Sequence, residues 1–339
     1  MSNVKSSYCF DDVLLVPKYS DVISRGDIDL TSYLDENLNF RLPVISSPMD
    51  TVTETDMAVA MNGSGGLGII HRYNTIEEQS SLVYLAREIC GNVGGSIGVS
   101  GDYLERAKAL ISSGANVICV DIAHGHHAMM RSALRALRST IGIRAHIMAG
   151  NVATLEGFND LADWGANSIR VGIGGGSICS TRIQTGHGVP TFQSILDCSQ
   201  SDRDVGLIAD GGIRNSGDVV KAYSAGADFV MLGSMLAGCT EAPGEIIHVD
   251  GDMFKSYRGM ASKDAQIGWR GHVSSIEGVS SIIPCAGSVS DVLSDIETGI
   301  RSGLSYSGAH NIRELQSRSS FISQTSAGSI ESSTHINNH

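Results

Sequence analysis

The chain is short of positive charge. Its 339 residues carry 24 Lys and Arg against 36 Asp and Glu, a formal net charge of −12. Binding a nucleic acid over a large surface needs a basic patch, so no nucleic-acid partner is expected. Long apolar runs are missing too. None reaches the length of a bilayer span, and MSNVKSSYCFDD lacks the basic-then-apolar pattern of an export signal, so no membrane association is expected. The seven cysteines are odd in number, scattered and free of any CxxC pair. That excludes a disulfide framework and a zinc ribbon, and a reducing, cytoplasmic setting is expected. No low-complexity linker divides the middle of the chain.

What the chain does have is glycine, 40 residues of it, with only 18% of residues charged. That combination suits an α/β fold with many tight βα turns and argues against disorder. Short apolar runs alternate with helix-length amphipathic segments, the pattern of repeated βαβ units. Strands are expected at 44–47, 67–70, 96–99, 117–122, 145–149, 168–172, 206–209 and 229–232. Eight such units predict a (β/α)8 TIM barrel, whose active residues sit at the C-terminal ends of the strands. A weak repeat agrees: Ser113-Gly-Ala-Asn, Trp164-Gly-Ala-Asn and Ala225-Gly-Ala-Asp each close a helix with Gly before the next strand.

From 241 to 287 the pattern breaks into a polar, Gly-dotted stretch too long for an ordinary βα loop, expected as a flap over the barrel mouth. A helix over 288–300 then completes the barrel. Residues 1–323 are thus expected to form one catalytic barrel domain that holds the flap, and 324–339, rich in Ser, Thr and Asn, a loosely structured tail. No inserted domain is visible between Gln79 and Ser96. The GSGGLG run at 63–68 fits the dinucleotide GxGxxG pattern, but it follows a helix and precedes a strand, the reverse of the required order.

The sharpest chemical signal is GIGGGSICSTR at 172–182. Its glycines let main-chain amides cradle an anion, Ser177 can add a hydroxyl, and Cys179 places a thiol beside that cradle. A covalent reaction on a phosphorylated substrate and a plain Gly-rich turn with an inert cysteine both fit this segment taken alone. Asp210 in IADGGI and the Gly233-Ser234 pair end two further apolar strands, and the three ends meet only if the sheet closes or twists sharply. Asp210 reads as an acceptor for ribose hydroxyls. Other candidates at strand ends are Ser47, Met49 and Asp50, His71 and Arg72, Asp121 with His124, and Asn151. His124-Gly-His126-His127 has neither helical nor zinc-finger spacing, so a loop is expected there rather than a transition-metal site. Glu277 falls in the flap, where a solvated loop carboxylate and an acid–base group are both open readings. Cys9, Cys90, Cys119, Cys198, Cys239 and Cys285 read as core or loop positions.

The runs DDVLL at 11–15, SPMDTVT at 47–53, GNVAT at 150–154, GGGSICSTR, IADGGI at 208–213 and YRGM at 257–260 together resemble the IMP dehydrogenase/GMP reductase family, from about residue 8 to the C-terminus. The resemblance implies a (β/α)8 barrel assembled as a homotetramer, acting on a purine nucleoside monophosphate with a nicotinamide cofactor. By position, Cys179 would attack carbon 2 of the purine, with Thr181 and Glu277 handling protons. Ser47, Met49, Ser177, Asp210, Gly211, Gly212, Gly233, Ser234, Tyr257, Gly259 and Met260 would hold the nucleotide. Arg72, Asp121, Ile122, Ala123, Asn151, Ile173 and Gly174 would face the cofactor. The main chain of Gly174, Gly176 and Cys179 would take a monovalent cation, K+, with Glu331 contributed by a neighbouring subunit.

Within the family two reactions part after a shared covalent intermediate. The dehydrogenase branch needs an Arg and a Tyr in its flap to activate water, and here Ile282 and Cys285 of IIPCAG stand in their places. The resemblance therefore implies the other branch, NADPH-dependent deamination of GMP to IMP and ammonia. The alternatives are NAD-dependent oxidation of IMP to XMP, a non-catalytic purine-nucleotide-binding barrel, and a flavin-dependent barrel using the same phosphate nest. Four departures from the family pattern stand out: Arg170 in place of Lys, Gly175 in place of Pro, Thr191 in place of Gln, and Ala261 matching neither branch. The tail at 325–332 looks more like the dehydrogenase's.

Overall fold

The computed structural model describes residues 4–273 and 276–332. Residues 1–3 at the start of the expected barrel domain, Ser274 and Ser275 of the expected flap, and 333–339 of the expected tail lie outside the described residues. The eight apolar runs become parallel strands: β1 Val44–Ser46, β2 Leu67–Ile70, β3 Gly94–Ile97, β4 Val117–Asp121, β5 His146–Val152, β6 Ser168–Val171, β7 Gly206–Asp210 and β8 Phe229–Leu232. Each pairs with its successor, and β8 returns to β1 through Val230 and Val44, so the sheet is a closed barrel. Helices cover the outside and side chains fill the inside, which is why the strands are apolar on both faces. Among the described residues no helix is long and apolar enough to cross a membrane.

The Gly-Ala-Asn/Asp repeat has a mechanical explanation. Gly114, Gly165 and Gly226 have φ of 101°, 111° and 114°, which lets each helix end in a tight reversal. The Asn or Asp two residues on then sends its main-chain N–H to the preceding barrel strand's side: Asn116 to Val93, Asn167 to Ile147, Asp228 to Leu207. Its side chain accepts the N–H of that same residue in return. One short motif thus stops a helix and sets the register of the next strand.

Three expected elements change their bounds by more than one residue, β5 by running on to Val152 rather than 149. β3 starts at Gly94 and ends at Ile97, two residues earlier than 96–99. Side chains at Gly94 and Gly95 would collide with Ile69 and Leu110, so close packing of neighbours demands glycine at both positions. The closing helix runs Val289–Tyr306, longer than expected, with the Ser288 hydroxyl capping its start. The tail is not loose where it is described. Within it Ser326–Glu331 is a helix whose first turn is capped by Thr325, and just before it Phe321–Ser323 pairs antiparallel with Val13–Leu15.

Alternation along the strands stacks the barrel interior in layers. Ile45, Leu67, Ile69, Val117, Cys119, Met148, Ile208, Phe229 and Met231 form an apolar middle. The hairpin Ser32–Asp35/Leu38–Phe40 closes the N-terminal end, adding Leu34, Leu38 and Phe40 to that core. Below the middle, buried His146 bridges Asp35 at 2.7 Å and the Ser168 hydroxyl at 2.7 Å. The hydrogen bond to His146 holds the Asp35 carboxyl below its ordinary value. This contribution is full above the ordinary carboxylate range and is lost as pH falls through the lowered value. Asp35→Ala should therefore cost about 1–2 kcal/mol in urea unfolding at pH 7, with variant and parent converging in acid.

The 241–287 stretch folds as a three-stranded antiparallel sheet, β9 Ile246–Val249, β10 Asp252–Arg258 and β11 Ser280–Pro284, with a helix at Lys263–Arg270. Lys255, only 3% exposed, anchors it by donating to the carbonyls of Cys239, Thr240 and Ala242 at the end of the barrel chain.

Candidate active site

A cavity of about 410 Å³ opens where the strands end and the flap folds over. Every residue expected to bind substrate, cofactor or cation lines it except Glu331. Glu331 ends the Ser326–Glu331 helix, which packs near the Phe10–Asp12 turn.

The reactive corner joins two distant stretches. Cys179 Sγ donates to Thr181 Oγ1 at 3.2 Å, and Thr181 Oγ1 donates to Glu277 Oε2 at 2.8 Å. The backbone holds this chain in place: Ser180 N–H donates to Glu277 O at 2.9 Å and Val279 N–H to Ile178 O at 3.0 Å. The flap is thereby stapled to the cysteine loop, and its carboxylate is delivered by main-chain pairing rather than by a flexible side chain alone. A proton can pass between the thiol and the carboxylate through one hydroxyl.

Beside this corner lies a cradle. Gly211, with φ of 95°, follows β7, and a side chain on it would come within 3.2 Å of Gly176 N. The two glycine turns can thus present main-chain N–H groups to one small anion, with Ser177 and Ser234 at its edges. A side chain at Gly233 would meet the Tyr257 hydroxyl at 3.0 Å and Ser47 Oγ at 3.4 Å. Burial pushes the Tyr257 phenol up, and a hydrogen bond with Ser177 partly offsets this. Its hydroxyl therefore stays protonated beside the cradle.

The floor is polar, with Arg170 buried and its aspartate partners half-buried. Arg170 donates to Asp121 Oδ1 at 2.6 Å and to Asp210 Oδ2 at 2.7 and 3.0 Å. Asn151 Nδ2 adds a third donor to Asp210 Oδ2 at 2.8 Å. Asp210 is therefore not a bare acceptor, as its sequence position suggested. One of its oxygens is spoken for by the protein.

At the mouth, Tyr73 and Trp269 stack with centroids 4.3 Å apart, and Arg72 lies 5.6 and 5.5 Å from the two rings. The Tyr73 hydroxyl donates to Met260 O at 2.6 Å, tying the loop after β2 to the segment that borders the cavity. Trp269→Ala should free the flap helix, exposing 263–270 to protease and lowering kcat/KM about fivefold, as loss of an aromatic pair worth about 1 kcal/mol implies.

Sequence reasoning missed Tyr73, Gln266 and Arg270 in the cavity wall. Tyr73 sits three residues past β2, so the strand-end rule could have found it. The flap-helix residues arrive only through tertiary docking. Of the histidine run, His126 pairs with Asp160 at 2.8 Å and His127 caps the next helix, so both have structural partners. Ile282 on β11 is 44% exposed, and neither it nor Cys285 lines the cavity. GSGGLG is the turn between the helix Thr55–Gly63 and β2. Two departures prove to be neighbours. A side chain at Gly175 would lie 2.3 Å from Thr191 Oγ1, so the glycine accommodates the threonine.

The family model described as IMP dehydrogenase / GMP reductase domain matches residues 7–335. The chain belongs to the IMP dehydrogenase/GMP reductase family. It is 34% identical to an inosine-5'-monophosphate dehydrogenase of Nitrosopumilus maritimus, with 98% of each chain covered. It is 31% identical to a GMP reductase of Leishmania major, with 96% of each covered. A crystal structure of a Trypanosoma brucei GMP reductase variant in complex with guanosine 5'-monophosphate superposes with a TM-score of 0.94 at 30% identity, covering 99% of both chains. Family members are oxidoreductases that act on purine nucleotides with nicotinamide cofactors. The alignment with the Nitrosopumilus enzyme spans 469 positions against 339 residues here, so that relative carries at least 130 positions without a counterpart. In this chain the helix Ile76–Ile89 passes to β3 at Gly94 through only a short link.

Proposed function

We propose that the chain is a GMP reductase, converting GMP, NADPH and two protons to IMP, NADP+ and ammonium. The observation that carries this reading is the Cys179–Thr181–Glu277 relay in a cavity that neither Ile282 nor Cys285 lines. In this reading the Cys179 thiolate adds to carbon 2 of the guanine, and the C–N bond to the exocyclic amine breaks. The proton on the departing ammonia comes through Thr181 from Glu277. The thioimidate left on Cys179 then takes a hydride at carbon 2, the C–S bond breaks, and IMP and the thiolate are restored. Water attack on the thioimidate would need an activating base, and an isoleucine side chain cannot act as one.

Ser177, Gly211, Gly212, Gly233 and Ser234 would hold the phosphate, Asp210 the ribose, and Ser47, Met49, Tyr257, Gly259 and Met260 the base. Bound NADPH supplies the hydride. The wall beyond the nucleotide cradle suits its negatively charged phosphates: Arg72 donates to the Asp121 carbonyl at 3.3 Å, and its buried Nε has no hydrogen-bond partner among the described residues. Asp121, Ile122, Ala123, Asn151, Ile173 and Gly174 would complete that side. The working form is read as a cytoplasmic homotetramer, in which a neighbouring subunit's Glu331 could reach a K+ held by carbonyls of Gly174, Gly176 and Cys179.

Incubation with GMP and NADPH should release ammonium and IMP in equal amounts as the cofactor absorbance falls. The dehydrogenase reading draws support from the 34% identity to an IMP dehydrogenase, and it requires sustained XMP from IMP and NAD.

A further inference from the structure

Arg170, in the polar layer at the top of the barrel interior, has no role in the proposal above, yet its bonds span both halves of the cavity. Period-two alternation points Asp121 at the end of β4, Arg170 on β6 and Asp210 at the end of β7 to the same inner layer. Arg170 is 6% exposed and makes an ion pair with each carboxylate, at 2.6 Å and 2.7 Å. Burial pushes its guanidinium down, but Asp210 and Asp121 more than reverse this and hold it well above its ordinary value. Both of its bonds to Asp210, and the one from Asn151, fall on Oδ2. That leaves Oδ1 of a cavity-lining carboxylate for a ligand.

We propose that Arg170 is a positioning residue that fixes Asp210 on the nucleotide side and Asp121 on the cofactor side, and so couples the binding of the two ligands. This rests on the reading of the cavity as a nucleotide and nicotinamide site. A guanidinium is a planar fork that can bond two carboxylates at once, whereas an ammonium is one compact point charge. A ligand that orders Asp210 through Oδ1 orders the shared guanidinium, and Asp121 is then already placed for the second ligand. Removing the fork while keeping the charge therefore loosens both acceptors and disconnects them.

The test is calorimetric titration of GMP, IMP and NADP+ into the Cys179→Ala protein, each nucleotide with and without saturating cofactor. With Arg170 present, cofactor should tighten nucleotide binding by a factor within the usual range of about 5–150. Adding Arg170→Lys should weaken nucleotide binding about tenfold or more, the scale of a lost charged hydrogen bond, and bring the coupling factor close to one. Its thermal midpoint should stay near the parent's. Asp121→Asn supplies a second arm that does not depend on how well the lysine variant folds. It should weaken nucleotide binding in the absence of cofactor, although Asp121 faces the cofactor side. Affinities and coupling indifferent to both substitutions overturn this inference and leave the proposed function standing. Failure of both the parent and the Cys179→Ala protein to bind GMP or IMP overturns both.

Discussion

Cys179→Ala should bind GMP with almost unchanged affinity and turn over at least about a thousandfold more slowly than the parent. The substitution removes one sulfur at the end of the 172–182 loop. The cradle of Gly176, Ser177, Gly211 and Gly233 and the Asp210 acceptor are held by other contacts, so the nucleotide keeps its anchors. Thr181 also keeps its bond to Glu277 at 2.8 Å. What disappears is the covalent route, and losing a nucleophile of this kind removes most of an enzyme's advantage over the uncatalysed reaction. Steady-state cofactor absorbance gives the rate, calorimetry the affinity, and intact-protein mass spectrometry the adduct that only the parent should form. Activity comparable to the parent's would remove Cys179 from the chemistry. Loss of GMP binding alongside activity would show instead that the sulfur serves the cradle.

The barrel could be read from the sequence because its strands are bounded on both sides by local signals. Apolar runs end in polar strand tips, and Gly-Ala-Asn/Asp announces the next strand through hydrogen bonds made within one βα unit. What could not be read depends on partners far apart in the chain. Val13–Leu15 becomes a strand only because Phe321–Ser323 lies beside it. The 32–40 hairpin is fixed by packing on Phe229 and by His146, neither of which its own residues indicate. Likewise the reactive corner was half legible. Cys179 stands out in its glycine loop, whereas Glu277 is 96 residues from Thr181 and looks like any loop carboxylate until the resemblance pairs them. Arg170 was visible only as a departure from a family pattern. Its bridge between two aspartates follows from barrel closure, which brings the ends of β4, β6 and β7 around one axis.

The direction of the reaction gives the second large effect. Glu277→Gln keeps a side-chain oxygen to accept the Thr181 hydroxyl, so the geometry of the relay should survive. An amide cannot release a proton, however, and the departing ammonia then leaves without help. General acid–base groups contribute roughly 10²–10⁴-fold, and GMP deamination should slow by about that range. The same residue gives a sharper comparison when the substrates are reversed. With IMP and NAD the parent should make one equivalent of NADH per active site and then stop, because Ile282 and Cys285 stand where the resemblance puts the water-activating Arg and Tyr. The adduct on Cys179 should accumulate in the mass spectrum while XMP stays near the level of spontaneous hydrolysis. Restoring an Arg at Ile282 and a Tyr at Cys285 should then release XMP only if the flap can bring β11 to the cavity, which it does not line here. Steady XMP formation by the parent at rates rivalling GMP reduction would mean that another group activates water, and the reductase assignment would fall.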